Sequence, residues 1–257
     1  MVETSNILRE DRGSSGLTAR SVLASTLLGA DPPELPVAHL VQLSSLFGIN
    51  GNRARVALSR MVASGEVTTD GAGRYRLSGH LLERQRRQNA SRAGRTRRWR
   101  GDWQVVVVTT TGSTPEVRTS RRKALTFARL AELREGVWLR PDNLDDAMPE
   151  DLGPDITTLS ARPDRPDELV GRLWNTAGWA LRARELSAQL SANPPRDWTD
   201  LEPGFVLSAS VLRHFQADPL LPSELLAPDW PGQDLRALYD DWDTRYRQVL
   251  AHWTPLP

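Results

Sequence analysis

From Leu17 onward, apolar residues recur first at helical spacing and then, for two short stretches, at strand spacing. Residues 17–28 (LTARSVLASTLL) place Val22, Leu23, Leu27 and Leu28 on one face of a helix. Thr18 offers an N-cap oxygen, and Gly29 a stop. The segment DPPELP (31–36) predicts a loop, because its prolines cannot continue a helix. Leu40, Leu43, Leu46 and Phe47 predict a short amphipathic helix over 37–47, closed by a turn at Gly48. Asn50 caps a third helix over 51–63, with Ala54, Ala57, Leu58 and Met61 turned inward. At about 100° per residue the opposite face carries Asn52, Val56 and Ser59, flanked by Arg53, Arg55 and Arg60. Two strands follow, 66–69 and 74–77, around the tip Asp70-Gly71-Ala72-Gly73, so that Arg74 and Arg76 share one strand face.

The next stretch, 81–103, holds eight arginines against Glu83 and Asp102. Its first part continues as a helix, and Asn89 to Gly94 reads as a linker. The pattern then changes. WQVVVVTTT (103–111) predicts a strand buried on both faces over 105–108. A helix over 117–134, strands over 136–144 and 155–162, and a helix over 167–174 complete a ferredoxin-like plan. Helices over 176–191, 203–215 and 235–253 fill the remainder, separated by Pro194-Pro195 and by the proline-punctuated stretch 218–234. The expected class is a multidomain α+β protein. Its parts are a disordered N-terminus (1–16), a winged helix-turn-helix (17–85), a basic linker (86–102), a ferredoxin-like α/β middle domain (103–174) and a helical C-terminal domain (175–257).

Composition narrows what these elements do. Charged residues make up 25% of the chain and hydrophobic ones 39%, as in a globular protein. The net charge is only +1, yet residues 1–140 hold 23 Lys/Arg against 12 Asp/Glu and residues 141–257 hold 10 against 20. A basic front half fits a polyanion. There is no cysteine, which removes disulfides, thiolate metal sites and thiol nucleophiles and fits a reducing cytoplasm. No apolar run approaches a membrane span, and the N-terminus lacks the order of a signal peptide.

The helix over 51–63 is suited to the major groove. Arginine reads guanine, asparagine reads adenine, and either can hold phosphate. The candidate DNA-contacting residues are therefore Asn52, Arg53, Arg55, Val56, Ser59 and Arg60, with Arg74 and Arg76 gripping phosphates from the hairpin. The competing reading of the same stretch is a winged helix that serves protein contacts or structure without specific DNA binding. Enzyme readings are weaker. Histidines 39, 80, 214 and 252 show no ligand spacing, and no nucleophile elbow or phosphate-binding glycine motif occurs, so no cofactor and no metal are expected. The middle domain looks like a family of small CRISPR-adaptation nucleases with a metal-binding Asp at the end of the first strand. Here that strand ends in threonines, and Asp102 precedes it, so nuclease activity is not expected. Six tryptophans (138, 174, 179, 230, 242 and 253) lie in the back part of the chain, mostly as core. Among them Trp138 and Trp174, with Arg140, are the candidate lining of an effector pocket.

Three stretches together resemble the PaaX family, repressors of phenylacetic-acid catabolism: FGINGNRARVALSRMVASGEV (47–67), WRGDWQVVVV with GVWLRPDNL, and DPLLPSELLAPDWPG (218–232). The likeness spans roughly residues 18–253. It implies a homodimeric repressor on double-stranded operator DNA, with the middle domain coupling the subunits and an aryl-acyl-CoA such as phenylacetyl-CoA releasing the DNA. Segment 109–120, together with Val56 and Ser59, departs from the family pattern, which puts both operator and effector identity in doubt.

Overall fold

The computed structural model describes residues 17–109, 112–145 and 155–252. The expected disordered N-terminus, Thr110-Thr111, Asp146 and Trp253 lie outside them. The chain clusters into two compact units, one of residues 1–90, 192–212 and 240–257, the other of 91–191 and 213–239.

The first unit opens with helices α1 (Ala19–Leu28), α2 (Val37–Ser45) and α3 (Gly51–Ala63). Its sheet is made of β1 (Glu34–Pro36), β2 (Val67–Thr69) and β3 (Arg74–Leu77), in the order β1-β3-β2. Both expected caps form: Thr18 accepts from the Ser21 amide, and Asn50 Oδ1 accepts from the Arg53 amide at 2.9 Å. Leu23, Leu27, Leu40, Leu58, Met61, Val67 and Leu77 form the core between helices and sheet. The segment 31–36 is not wholly loop, as expected. Glu34, Leu35 and Pro36 pair antiparallel with Arg76, Tyr75 and Arg74. An edge strand tolerates proline because one side of its ladder needs no donor.

Helix α4 (Gly79–Ala93) runs through the stretch expected to be a linker. Leu81 joins the core, and Gln85 is buried. Gln85 Nε2 donates to the Leu28 carbonyl at 3.2 Å and the Ala30 carbonyl at 2.8 Å, satisfying acceptors that the end of α1 leaves open. Gln88 and Ser91 are buried too, which periodicity of apolar residues does not reveal. Parts of α8 (Leu201–Gln216) and α9 (Gly232–His252) complete this unit. Tyr246 Oη donates to the Leu201 carbonyl at 2.8 Å, and Phe205 packs on Phe47 with ring centroids 4.9 Å apart. Gly204 is required at the α8–α9 contact, since a Cβ there would lie 2.7 Å from the Tyr246 ring.

The second unit is built on β4 (Trp103–Val108), β5 (Ala131–Arg134), β6 (Val137–Pro141) and β7 (Ile156–Ala161). They form one antiparallel sheet in the order β5-β6-β4-β7, the strand order of a ferredoxin-like domain. Helix α5 (Pro115–Phe127) ends seven residues short of the expected helix. Arg129 takes a left-handed φ of 61°, and the chain turns back as β5. The Arg129 side chain repays this conformation by donating to Ser91 Oγ at 2.8 Å and to the Asp218 carbonyl. Val106 and Trp138 face α5 through Leu125 and Leu130. Trp103 and Leu139 face the other way, toward helix α6 (Pro166–Leu173) through Val170. The two helices thus cover opposite faces of the sheet. Helix α7 (Thr176–Ala192) presents Trp179, stacked on His214 at 4.3 Å and on Trp230 at 4.6 Å. The proline-spaced stretch 218–232 is anchored by buried Asp218, which accepts from Arg236 Nη2 and from the Leu220 amide, both at 2.8 Å.

Candidate nucleic-acid interface

Helix α3 divides as its spacing requires. Ala54, Leu58 and Met61 are buried, while Asn52, Arg53, Arg55, Val56, Ser59 and Arg60 all lie exposed on the other side. Val56 is 52% exposed at the centre of that face, unusual for a valine with no apolar neighbour to cover it. Glu66 follows the helix and is buried. Its carboxylate receives Arg20 from α1 through two hydrogen bonds, one of 3.0 Å, and lies 3.7 Å from His80 Nε2. That bond to Glu66 holds the Arg20 guanidinium above its ordinary pKa. The pair ties α1 to the turn behind α3 and so fixes the angle at which α3 projects.

The hairpin tip is ordered by Asp70. Its Oδ1 accepts from the Arg74 amide at 3.0 Å and the Ala72 amide at 2.8 Å, which keeps its carboxyl below the usual range. Gly71 and Gly73 take φ of 77° and 93° there. Arg74 and Arg76 do share one face, as expected, but neither stands alone. Both donate to the carboxylate of Glu34 on β1, Arg76 through its Nε at 2.7 Å. Hydrogen bonds from Arg74 and then Arg76 lower the Glu34 pKa. The register that sets Glu34 opposite Arg76 makes this clasp. Sequence reasoning missed Glu34 because 40 residues separate it from Arg74 and because β1 was read as loop. The available signal was an acid beside the hairpin in a basic region.

The three residues proposed for an effector pocket do not converge. Trp138 is buried on the α5 side, beneath the Arg122 guanidinium at 5.4 Å. Trp174 lies on the opposite side of the sheet, 6.2 Å from Trp103. Arg140 is buried and donates to Gln104 Oε1 at 3.1 Å; Gln104 in turn donates to Asp142, which also receives Arg97. Two open clefts do gather arginines. One, of about 560 Å³, is lined by Arg118, Arg122 and Arg134 with Glu132 and Glu135. The other, of about 480 Å³, is lined by Arg97, Arg98 and Arg100 with Asp102 and Asp142. Asp102 is held there by Arg162, at 2.6 and 3.2 Å, and this bond depresses its pKa.

Comparison with known proteins accounts for most of the chain. Residues 18–81 match the model of the PaaX-like protein family, residues 96–157 that of the PaaX protein central Cas2-like domain, and residues 174–254 that of the PaaX-like protein C-terminal domain. The chain belongs to the PaaX family. The motifs at 47–67, 103–108 and 218–232 each fall within one of the three matched segments of that family. Among solved structures, a PaaX-family reading has one close likeness in shape and sequence. It is described as uncharacterized protein Rv0674 from Mycobacterium tuberculosis, with 42% identity, a TM-score of 0.74, and coverage of 91% of this chain and 97% of that one. No curated protein matches. No helix among the described residues is long and apolar enough to cross a membrane.

Proposed function

We propose that the chain is a transcriptional repressor that binds operator DNA as a homodimer, with residues 17–85 acting as a winged helix-turn-helix. The observation that carries this is the division of α3, with small and apolar residues inside and Asn52, Arg53, Arg55, Val56, Ser59 and Arg60 outside. Polar and basic side chains on a rigid helix suit base edges and phosphates, and an exposed valine suits the methyl group of thymine. Helix α3 enters the major groove, and β2 and β3 form the wing. Arg74 and Arg76 reach phosphates by exchanging the Glu34 carboxylate for a phosphate oxygen. A small anionic effector, of the aryl-acyl-CoA kind that the family likeness implies, releases the DNA. The arginine-lined clefts are the places where such an anion would meet uncompensated positive charge. A purely protein-contacting role for this unit has no feature of its own to favour it, since an apolar docking face is missing around Val56.

The test is a titration of duplex DNA from the region upstream of the protein's own coding sequence, against a scrambled duplex, over a range of salt. The reading expects preference for the upstream duplex and a steep linear fall of log affinity with log salt. Equal affinity for both duplexes would refute it.

A further inference from the structure

The two edges of the four-stranded sheet differ. β5 is short, carries Glu132 and Arg134, and breaks its register between those residues, all of which discourage pairing with another chain. β7 has none of these defences. It pairs with β4 over six residues without a shift, contains no charge and no proline, and is exposed from Thr157 to Ala161. Leu159 is 51% exposed in the middle of it.

Backbone parity decides how such an edge can be extended. The Thr109 amide donates to the Asp155 carbonyl, so Asp155, Thr157, Leu159 and Ala161 turn their backbone groups toward β4. Ile156, Thr158 and Ser160 turn theirs outward. A second β7 running antiparallel can bond only in registers that place outward residues opposite outward residues. One such register sets Thr158 opposite the other copy's Ser160 and puts Leu159 on the two-fold axis, facing its own counterpart. There the two leucines form a non-hydrogen-bonded pair, the kind with the closest side chains, about 4.5–5.5 Å between Cβ atoms. The charges at the strand's ends agree with this direction. Asp155 precedes the strand and Arg162 follows it. Antiparallel pairing brings each copy's Arg162 next to the other's Asp155, whereas parallel pairing would align like charges.

We propose that two copies of this chain associate through β7, in an antiparallel pair centred on Leu159, which extends each four-stranded sheet into one continuous sheet. This deepens the homodimer part of the reading above and rests on it. The occupant is a second copy because the strand complements itself in register and in charge.

The chain has no cysteine, so a single introduced thiol reports the axis without background. Leu159→Cys, treated with oxidised glutathione, is expected to give a disulfide-linked dimer on a non-reducing gel at least tenfold faster than Thr157→Cys. Residue 157 lies two positions off the axis and exceeds the roughly 7 Å Cα limit for a disulfide. Leu159→Lys, on an exposed position, is expected to run as a monomer by light scattering with the wild-type melting temperature. If the wild type is dimeric but Leu159→Cys does not cross-link, or cross-links no faster than Thr157→Cys, the β7 interface is overturned and the dimer stands on another surface. If the wild type is monomeric at every concentration, the dimer reading falls together with the interface, while binding of DNA by that monomer would leave the role of α3 intact.

Discussion

Glu34→Gln isolates the least expected feature of the interface. In the native chain one carboxylate, 16% exposed on its side chain, serves both wing arginines. The substitution keeps the backbone pairing of β1 with β3 and removes only the charge. Arg74 and Arg76 then have no competing anion when a phosphate approaches. Each new phosphate contact steepens the slope of log affinity against log salt by about 0.9, so full engagement of both arginines adds about 1.8. Over a fourfold change in salt, that extra slope corresponds to roughly a 12-fold larger change in affinity, and about 3.5-fold for one arginine. Fluorescence anisotropy of a labelled duplex at 50 to 200 mM salt measures it directly. The gain should appear on upstream and scrambled duplexes alike, because phosphate contacts carry no sequence information. If Glu34→Gln binds no more tightly at low salt and with an unchanged slope, the wing arginines do not touch DNA, and the clasp is purely structural.

Three further outcomes follow from the packing. Gln85→Leu leaves the carbonyls of Leu28 and Ala30 without their buried donor, and should lower unfolding free energy by about 1–3 kcal/mol in urea titration. Gly204→Val forces a branched side chain against Tyr246 and Trp242, and should cost about 1–3 kcal/mol in the same assay, with helix content retained by circular dichroism. His214 is half-buried against Trp179, and burial lowers its pKa below the ordinary 6.5. The unfolded chain therefore takes up the proton first as pH falls. The His214 contribution is complete above about pH 6.5 and is lost progressively below it, so His214→Gln should show a flatter decline of melting temperature from pH 7 to pH 5.

The parts of this fold legible in the sequence are those in which one local pattern decides the outcome. The α3 stripe, the Thr18 and Asn50 caps, the glycine-bearing hairpin tip and the β-branched run of β4 all follow from spacing and turn chemistry. What escaped depends on partners distant in the chain. β1 exists because Glu34 to Pro36 find β3, and three residues with a proline give no strand signal of their own. The helix over 117–134 looked continuous because Leu130, Ala131 and Leu133 keep an apolar rhythm. Arg129 breaks it only because Ser91 and Asp218 are there to hold its guanidinium. The second half of α4 was read as linker because its buried residues, Gln88 and Ser91, are polar. At the interface, exposure of the α3 face followed from the sequence, but the Glu34 clasp did not. The tryptophans invited a pocket, yet residue parity on β6 and the placement of α6 put Trp138 and Trp174 on opposite faces of the sheet.

The central claim, that α3 reads base edges, is tested most directly by selecting bound sequences from a random duplex pool with the wild type, with Arg55→Ala and with Arg55→Ala/Arg60→Ala. The account predicts that the wild type enriches an inverted repeat. Arg55→Ala should keep that repeat but relax it at one position in each half-site, at a cost of roughly 1–3 kcal/mol on the wild-type sequence. The double variant should lose enrichment. Recovery of the same motif, with the same information at every position, from all three proteins would contradict it.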